Sequence, residues 1–187
     1  MSFAARHASR SLATRQLDLR PLDASMLDAL AAGDRPGLEA LTGARFPAPL
    51  QPPPLVEDHL DFFRDRLRRP EEPGSWWFWL MVERASGRAV GMLGVPGEPD
   101  DRGRVPIGYS VYPDREGRGY ASEAVEAVVA WVLDRPGIEA VRATIAPDNA
   151  PSLRVAAKAG MRAVATGRVQ DVGEVVVVER RAGGREP

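Results

Sequence analysis

The most restrictive feature of this sequence is a strand that runs through a glycine-containing turn into an amphipathic helix. The strand is predicted by alternating apolar residues, namely Val105, Ile107, Tyr109 and Val111. Pro113 ends this pattern, and the turn follows at residues 116–121. Beyond the turn, apolar residues recur at the spacing of a helix with one apolar face: Ala121, Ala124, Val125, Val128, Val129 and Val132. Such a helix needs a sheet or another helix to cover its apolar face.

Short strands and helices alternate along the rest of the chain. We predict further strands at 15–20, 76–83, 89–95, 141–145 and 175–178. We predict helices at 24–32, 56–67 and 149–158. This order indicates a mixed sheet flanked by helices, in the α+β class. We expect a single domain over residues 15–181, with a flexible arm at 1–14 and a flexible tail at 182–187.

Composition excludes several classes of function. The chain has no cysteine and two histidines, so disulfides, thiolate metal sites and a cysteine nucleophile are ruled out, and we expect no metal. A formal net charge of -1 provides no overall field for nucleic acid or an anionic membrane. No run approaches the roughly 18 apolar residues that a membrane span needs. We therefore expect a cytoplasmic protein that binds small or local partners.

The turn has the chemistry of an anion site. Backbone N–H groups are exposed where a helix begins, at the positive end of the helix dipole, and Gly117 and Gly119 carry no side chain that would obstruct an anion. Arg115 and Arg118 could add positive charge for a phosphate. A Walker loop needs lysine and Ser/Thr after the second glycine, where this chain has Tyr120 and Ala121. A dinucleotide fingerprint needs a third glycine and a parallel sheet, and neither is predicted.

The same segment resembles the GNAT superfamily of acyl-CoA N-acyltransferases. The pyrophosphate motif of that family, Gln/Arg-x-x-Gly-x-Gly/Ala, falls on Glu116, Gly117, Arg118, Gly119, Tyr120 and Ala121. The flanking stretches IGYSVYPDREGRGYASEAV and IAPDNAPSLRVAAKAGM resemble the branch that contains the ribosomal-protein N-terminal acetyltransferases. The resemblance covers most of residues 14–165.

This resemblance implies a fold, a donor and a set of contacts. The fold would be a mostly antiparallel sheet with a splayed strand pair, and the donor would be acetyl-CoA. The backbone at Val111 and Tyr112 would bind the pantetheine arm, and the N–H groups of the turn would bind the pyrophosphate. Asn149, in the DN-x-x-S pattern, would cap the following helix and lie beside the pantetheine. The acceptor would be a primary amine on a small molecule or a peptide, and the protein would be a monomer or a homodimer.

Three positions depart from the family pattern. Glu116 places a carboxylate where Gln or Arg is usual. Pro106 stands where many relatives have a glutamate proposed as general base. Ala156, seven residues after Asn149, replaces a tyrosine that protonates the departing thiolate. The resemblance therefore supports recognition of the donor more strongly than it supports any catalytic residue.

Catalysis by positioning could still operate. An α-amine has a pKa near 8, so an appreciable fraction is neutral at physiological pH without a base. We therefore hypothesise direct attack of the amine on the thioester carbonyl, with a backbone N–H near Val111 stabilising the oxyanion. Ser152, the serine of the DN-x-x-S pattern, is the first candidate for the acid, and a structural role at the helix start is its alternative.

Several alternatives remain open at this stage. The chain could be a catalytically silent acyl-CoA-binding module, or it could transfer another acyl group, such as succinyl. Tyr109 and Tyr112 could line the acceptor site, whereas we expect His59 at a solvated helix position. We interpret the aromatic cluster at 76–79 as core, because it lies in a predicted strand with no basic residues interleaved.

Overall fold

The computed structural model describes residues 10–68, 78–169 and 173–183. Within these ranges the helices are α1 (Ala24–Ala31), α2 (Arg35–Thr42), α3 (Pro54–Arg68), α4 (Tyr120–Leu133) and α5 (Ala150–Lys158). The strands are β1 (Leu12–Ala13), β2 (Leu17–Pro21), β3 (Phe78–Glu83), β4 (Arg88–Gly94), β5 (Arg104–Pro106), β6 (Gly108–Val111), β7 (Ala140–Ile145), β8 (Arg162–Val169) and β9 (Gly173–Arg181). The predicted α+β class is confirmed.

The strands form two sheets. The first has the order β1-β2-β3-β4-β6 and is antiparallel throughout. The second has the order β5-β7-β9-β8, in which β5 is parallel to β7 and the other pairs are antiparallel. The strand arrangement is therefore mixed and mostly antiparallel, as predicted.

The strand predicted from Val105 to Val111 is in fact two strands that belong to different sheets. Its first half, β5, pairs with β7, and the Ile107 N–H still donates to the carbonyl of Arg142 at 2.8 Å. From Gly108 onward, in β6, the chain pairs with β4 instead. The alternation of apolar residues continues through both halves, so it predicted a strand but not the change of partner. Because of this change, β6 and β7 splay apart.

Helices cover both faces of the first sheet. Strand β3 is buried on both sides, and its alternate residues face the two opposite layers of helices. Trp79 and Met81 pack with the apolar face of α4, and the Trp79 and Trp131 rings meet edge to face at 5.5 Å. Phe78, Leu80 and Val82 pack with α1, α2 and α3 in a second cluster. Phe78 and Trp79 therefore lie in the core, as predicted, whereas Trp76 and Trp77 lie outside the described residues.

Helix α2 and strand β8 are among the elements that were not predicted. Gly33 and Pro36 predicted an end to the helical pattern after the helix at 24–32. Pro36 instead lies in the first turn of α2, where its missing N–H costs nothing. Asp34 caps this helix by accepting from the Gly37 N–H at 3.0 Å. Strand β8 is exposed along its whole length, so it has no apolar pattern that could reveal it.

The domain boundaries at residues 15 and 181 remain predictions. Residues 1–9 and 184–187 lie outside the described residues, so the arm and the tail are described only in part. Within the predicted arm, Leu12–Ala13 form β1 and pair with Leu19 and Asp18.

Candidate active site

The turn at 116–121 leaves the start of α4 uncapped by any side chain. Gly117 and Gly119 have φ angles of 73° and 84°, a region that favours glycine, and an added Cβ at either would meet no atom within 4 Å. The N-cap residue of α4 is Gly119, which has no side chain that could cap the helix. The first N–H groups of a helix have no partner within the helix, so they face outward from this turn toward open space. Together with the helix dipole, they form a site suited to an anion.

The side chain of Tyr120 anchors this turn to the first sheet. Its hydroxyl donates to the carboxylate of Glu83, which also accepts a hydrogen bond from Ser86. Hydrogen bonds from Ser86 and Tyr120 lower the pKa of Glu83. Burial, and then the bond to Glu83, raise the pKa of the Tyr120 hydroxyl. Tyr120 as a whole residue is 4 % exposed, so its ring is buried against the first sheet beneath the turn.

A cavity of about 1010 Å³ occupies the splay between β6 and β7 and extends over the turn. It is bounded by β6, the turn, the end of β7, the start of α3 and one face of α5. It contains nearly all of the residues predicted as binding or catalytic: Val111, Glu116, Gly117, Arg118, Gly119, Tyr120, Ala121, Asn149 and Ser152. The change of strand partner at Ile107 thus creates the space, and the turn closes one end of it.

Tyr112 is the predicted site residue that does not line the cavity. Its ring is 5 % exposed and packs in the second core cluster, on the α1–α3 side of the sheet. Burial raises the pKa of its hydroxyl, which has no hydrogen-bond partner among the described residues. Its N–H donates to the carbonyl of Val90 at 3.0 Å and is therefore occupied. A strand residue adjacent to Val111 points to the opposite face, which is why the two residues separate.

Asn149 and Ser152 lie together at the start of α5. The Asn149 side-chain oxygen accepts from the Ser152 N–H at 3.1 Å and so caps the helix. The hydroxyl of Tyr109, on β6, donates to the Ser152 carbonyl across the cavity at 3.0 Å, and burial raises its pKa. This bond ties β6 to α5, a role that the sequence did not reveal.

Basic residues outnumber acidic ones on the described lining of the cavity. The basic residues are Arg115, Arg118, Arg154 and Lys158, and the acidic ones are Asp58 and Glu116. Arg154 and Lys158 were missed by sequence reasoning, although their i, i+4 spacing on α5 places them on one helix face. Positive charge around an uncapped helix start favours a ligand that carries phosphate.

The family of this chain follows from its similarity to a known domain. The acetyltransferase (GNAT) domain matches residues 16–162. The chain belongs to the GNAT acetyltransferase family. The match includes the turn, both splayed strands and α5, so the cavity lies inside the matched GNAT domain.

Three relatives illustrate this GNAT domain. The uncharacterised N-acetyltransferase YjdG of Bacillus subtilis is 26% identical over 152 residues, which cover 80% of this chain and 88% of that protein. A structure assigned to the GnaT acetyltransferases, from Bordetella pertussis, is 26% identical with a TM-score of 0.64, covering 92% of this chain and 99% of that one. RimL, a ribosomal L7/L12 α-N-protein acetyltransferase in complex with coenzyme A, is 16% identical with a TM-score of 0.65, covering 92% and 98%.

The departures from the family pattern have clear positions in the structure. Ala156 is fully buried in the core, so no side chain reaches the cavity from that point of α5. Pro106 is exposed at the end of β5, beside a second cavity. Among the described residues, no group of three or more His, Asp or Glu side chains converges as a metal site. No helix in the described ranges is long and apolar enough to cross a membrane.

Proposed function

We propose that this GNAT domain transfers an acetyl group from acetyl-CoA to a primary amine by direct attack in a ternary complex. The observation that carries the proposal is the cavity in the strand splay, which ends at an uncapped, glycine-lined helix start. The bound coenzyme A in the structurally similar RimL protein supports this choice of donor. The acceptor is a small-molecule or peptide amine, and the activity of RimL on a protein α-amine supports the second kind.

Different residues of the cavity bind different parts of acetyl-CoA. N–H groups from Gly117 to Ala121 bind the pyrophosphate, and the nearby cations Arg118, Arg154 and Lys158 add charge for phosphate. The backbone of β6 near Val111 binds the pantetheine arm along the splay. Asn149 orders the start of α5 beside that arm. Glu116 contributes only backbone groups, because its carboxylate would repel the phosphates.

Acetyl-CoA supplies an activated acyl group and a good leaving group. The amine nitrogen forms a bond to the thioester carbonyl carbon, and the carbon–sulfur bond breaks with its electrons leaving on sulfur. The amine loses one proton to water, and the thiolate gains one from Ser152, which recovers it from solvent. A backbone N–H near Val111 stabilises the oxyanion. Most of the rate enhancement comes from holding the reactants in line.

The phosphate site is tested by Gly119→Asp. Aspartate at a φ of 84° strains the turn and places a carboxylate at the anion site. We expect calorimetry to show a Kd for acetyl-CoA that rises by roughly 30- to 100-fold, about 2–3 kcal/mol.

Gly33→Asp is the matched control, because Gly33 has a φ of 68°, equally open surroundings and no contact with the cavity. Its Kd should equal that of the unaltered protein. An unchanged Kd in Gly119→Asp would show that the turn does not bind the pyrophosphate, and no binding at millimolar acetyl-CoA by the unaltered chain would overturn the proposal.

A catalytically silent acyl-CoA-binding module is the second candidate. It is favoured by one observation, that Ala156 is buried and leaves no tyrosine near the sulfur. Release of free CoA thiol, measured with a panel of amines, separates enzyme from binder. Replacing acetyl-CoA with succinyl-CoA in the same assay tests the alternative acyl group.

A further inference from the structure

The turn at 116–121 is open to solvent in its middle and held at its ends. Residues 116–119 are exposed, and a Cβ added at either glycine of this stretch would meet no atom within 4 Å. Before this stretch, the Glu116 N–H donates to the Pro113 carbonyl at 3.4 Å, a long hydrogen bond. After it, Tyr120 is the first buried residue. The direction in which the N–H groups of the turn point therefore depends mainly on how Tyr120 is held.

Glu83, at the end of β3, holds the Tyr120 side chain. Its backbone is paired with β2 on one side and with β4 on the other, and its carbonyl accepts from the Gly87 N–H at 2.7 Å. One oxygen of its carboxylate accepts from the Tyr120 hydroxyl, and the other accepts from the Ser86 hydroxyl. The carboxylate therefore has a fixed position on the central strand of the first sheet. Glu83 is absent from the described lining of the cavity, so it makes no contact with a ligand there.

The charge of Glu83 opposes the binding of an anion at the turn. Hydrogen bonds from Ser86 and Tyr120 lower the pKa of Glu83, and the positive charges of Arg115 and Arg118 lower it further, so the carboxylate is ionised and close to both arginines. Both arginines line the cavity. A carboxylate beside them reduces the positive potential that a phosphate experiences. Electrostatics alone therefore predicts that removal of the Glu83 charge tightens the binding of phosphate.

We infer that Glu83 is a positioning residue for the donor, and that through Tyr120 it fixes the turn whose N–H groups bind the pyrophosphate. Donors that are aimed before the ligand arrives bind an anion without the cost of ordering the turn. This gain in affinity exceeds the loss that the Glu83 charge causes at the two arginines. The inference rests on the proposed function, because its ligand is the pyrophosphate of that same donor.

Calorimetric titration with CoA tests the link through Tyr120. Tyr120→Phe removes one oxygen atom and no charge, and we expect its Kd for CoA to rise about tenfold because the turn is no longer fixed. Arg118 also interacts with this hydroxyl, and its release would by itself favour phosphate binding. A rise in Kd therefore reports the position of the turn. Equal Kd values in Tyr120→Phe and the unaltered protein would overturn the inference.

Glu83→Gln gives a result whose direction separates positioning from charge. The amide oxygen still accepts from Tyr120, but a bond to a neutral acceptor is weaker, so we expect the Kd for CoA to rise about threefold. A fall in Kd would mean that Glu83 acts only through its charge, and it would overturn the positioning role. When Glu83→Gln is added to Tyr120→Phe, the Kd should not rise further. A further rise would overturn the route through Tyr120.

Glu123→Gln is the matched control for a general loss of stability. Glu123 lies three residues after Tyr120 on α4, its carboxylate also joins the helix to other strands by hydrogen bonds, and it does not line the cavity. The control should unfold at a lower temperature and yet bind CoA with the Kd of the unaltered protein. An equal rise of Kd in Glu123→Gln and Tyr120→Phe would show that loosening of α4 in general weakens binding, and it would overturn the specific role of Glu83.

The CoA titration of the unaltered chain separates this inference from the proposed function. If the unaltered protein binds CoA and the Tyr120→Phe variant binds it equally well, only the role of Glu83 fails. If the unaltered protein does not bind CoA at millimolar concentration, the proposed function fails and this inference fails with it. Because the titration measures Kd rather than turnover, its result applies equally to an enzyme and to a silent acyl-CoA-binding module.

Discussion

Tyr109 contacts the backbone of Ser152 across the candidate active site, and this contact does not involve the Ser152 hydroxyl. Tyr109 donates its hydroxyl to the Ser152 backbone carbonyl, and Asn149 accepts from the Ser152 N–H. The backbone of Ser152 is therefore held on both sides. Its short side chain lies on the cavity lining, where it could reach a departing sulfur. Geometry of this kind fits a proton donor whose position is fixed by its neighbours.

Ser152→Ala tests this assignment. If the hydroxyl protonates the thiolate, we expect kcat to fall by about 10²-fold, the lower end of the usual range for a lost general acid. The Kd for acetyl-CoA should not change, because the helix cap uses Asn149 and the Ser152 backbone. Steady-state release of CoA thiol, at saturating amine, measures the effect.

Two further variants separate proton donation from positioning. Ser152→Thr retains a hydroxyl and should restore most of the rate. Tyr109→Phe removes the bond between β6 and α5 without removing the proposed donor. An unchanged kcat in Ser152→Ala would exclude Ser152 as the acid, and an equal loss in the threonine variant would point to packing instead.

At the scale of elements, one carboxylate on α4 joins the N-terminal strands to the helix that carries the turn. Glu123 accepts from the Thr14 hydroxyl and the Gln16 N–H, both at 2.5 Å, and from the Gln16 side chain at 2.8 Å. Its side chain is 17% exposed. Burial opposes its ionisation, but the hydrogen bonds from Thr14 and Gln16 outweigh burial and lower its pKa. The charged form is therefore the one that the fold stabilises.

Glu123→Gln should lower the free energy of unfolding by about 1–3 kcal/mol at neutral pH, as expected for the loss of charge-assisted bonds. Since the pKa of Glu123 is lower in the folded state, its contribution is present above the unfolded value of about 4.3 and disappears as the pH falls through the folded value. Urea unfolding at several pH values should thus show the two proteins converging in acid. Glu126→Gln, at an exposed position on the same helix, should have no effect, and a pH-independent difference would contradict this account.

Local patterns predicted the elements that face a core on one side, as well as the turn. Strand β2, helix α4 and the glycine turn all have such patterns, and the structure places them where the sequence did. Strand β8 was not predicted because a strand exposed on both faces has no apolar periodicity. Helix α2 was not predicted because the proline in its first turn was interpreted as a helix break. The change of sheet at Ile107 could not be predicted, because pairing with β7 or β4 depends on residues distant in sequence.

The same distinction applies to the candidate site. The turn residues belong to one family motif and Asn149 belongs to another, so the resemblance could assign them to one site although α4 and β7 lie between them. The family resemblance assigned the backbone of Tyr112 to the pantetheine arm. In the structure its N–H donates to Val90, and strand alternation directs its ring into the opposite core. Arg154 and Lys158 belong to no motif that was recognised, and only the fold brings their face of α5 beside the turn.

At the scale of the whole molecule, the cavity in the splay touches strands from both sheets and the three helices α3, α4 and α5. A ligand that contacts β6, the turn, β7 and α5 together favours the folded state over every partly opened one. Binding to the folded state alone stabilises a protein by RT ln(1 + [L]/Kd), about 2.7 kcal/mol at a ligand concentration of 100 Kd. For a domain of this size, each kcal/mol raises Tm by roughly 2–4 °C.

Acetyl-CoA at 100 Kd should therefore raise Tm by about 5–10 °C. Because the turn at 116–121 supplies the pyrophosphate contacts, Gly119→Asp should lose most of this shift, whereas Gly33→Asp should keep it even if strain lowers its Tm without ligand. Differential scanning fluorimetry over a series of ligand concentrations measures the dependence. An equal Tm shift in Gly119→Asp and Gly33→Asp would mean that the ligand stabilises the fold through contacts other than the turn. The acetyl-CoA would then be bound by the strands of the splay alone.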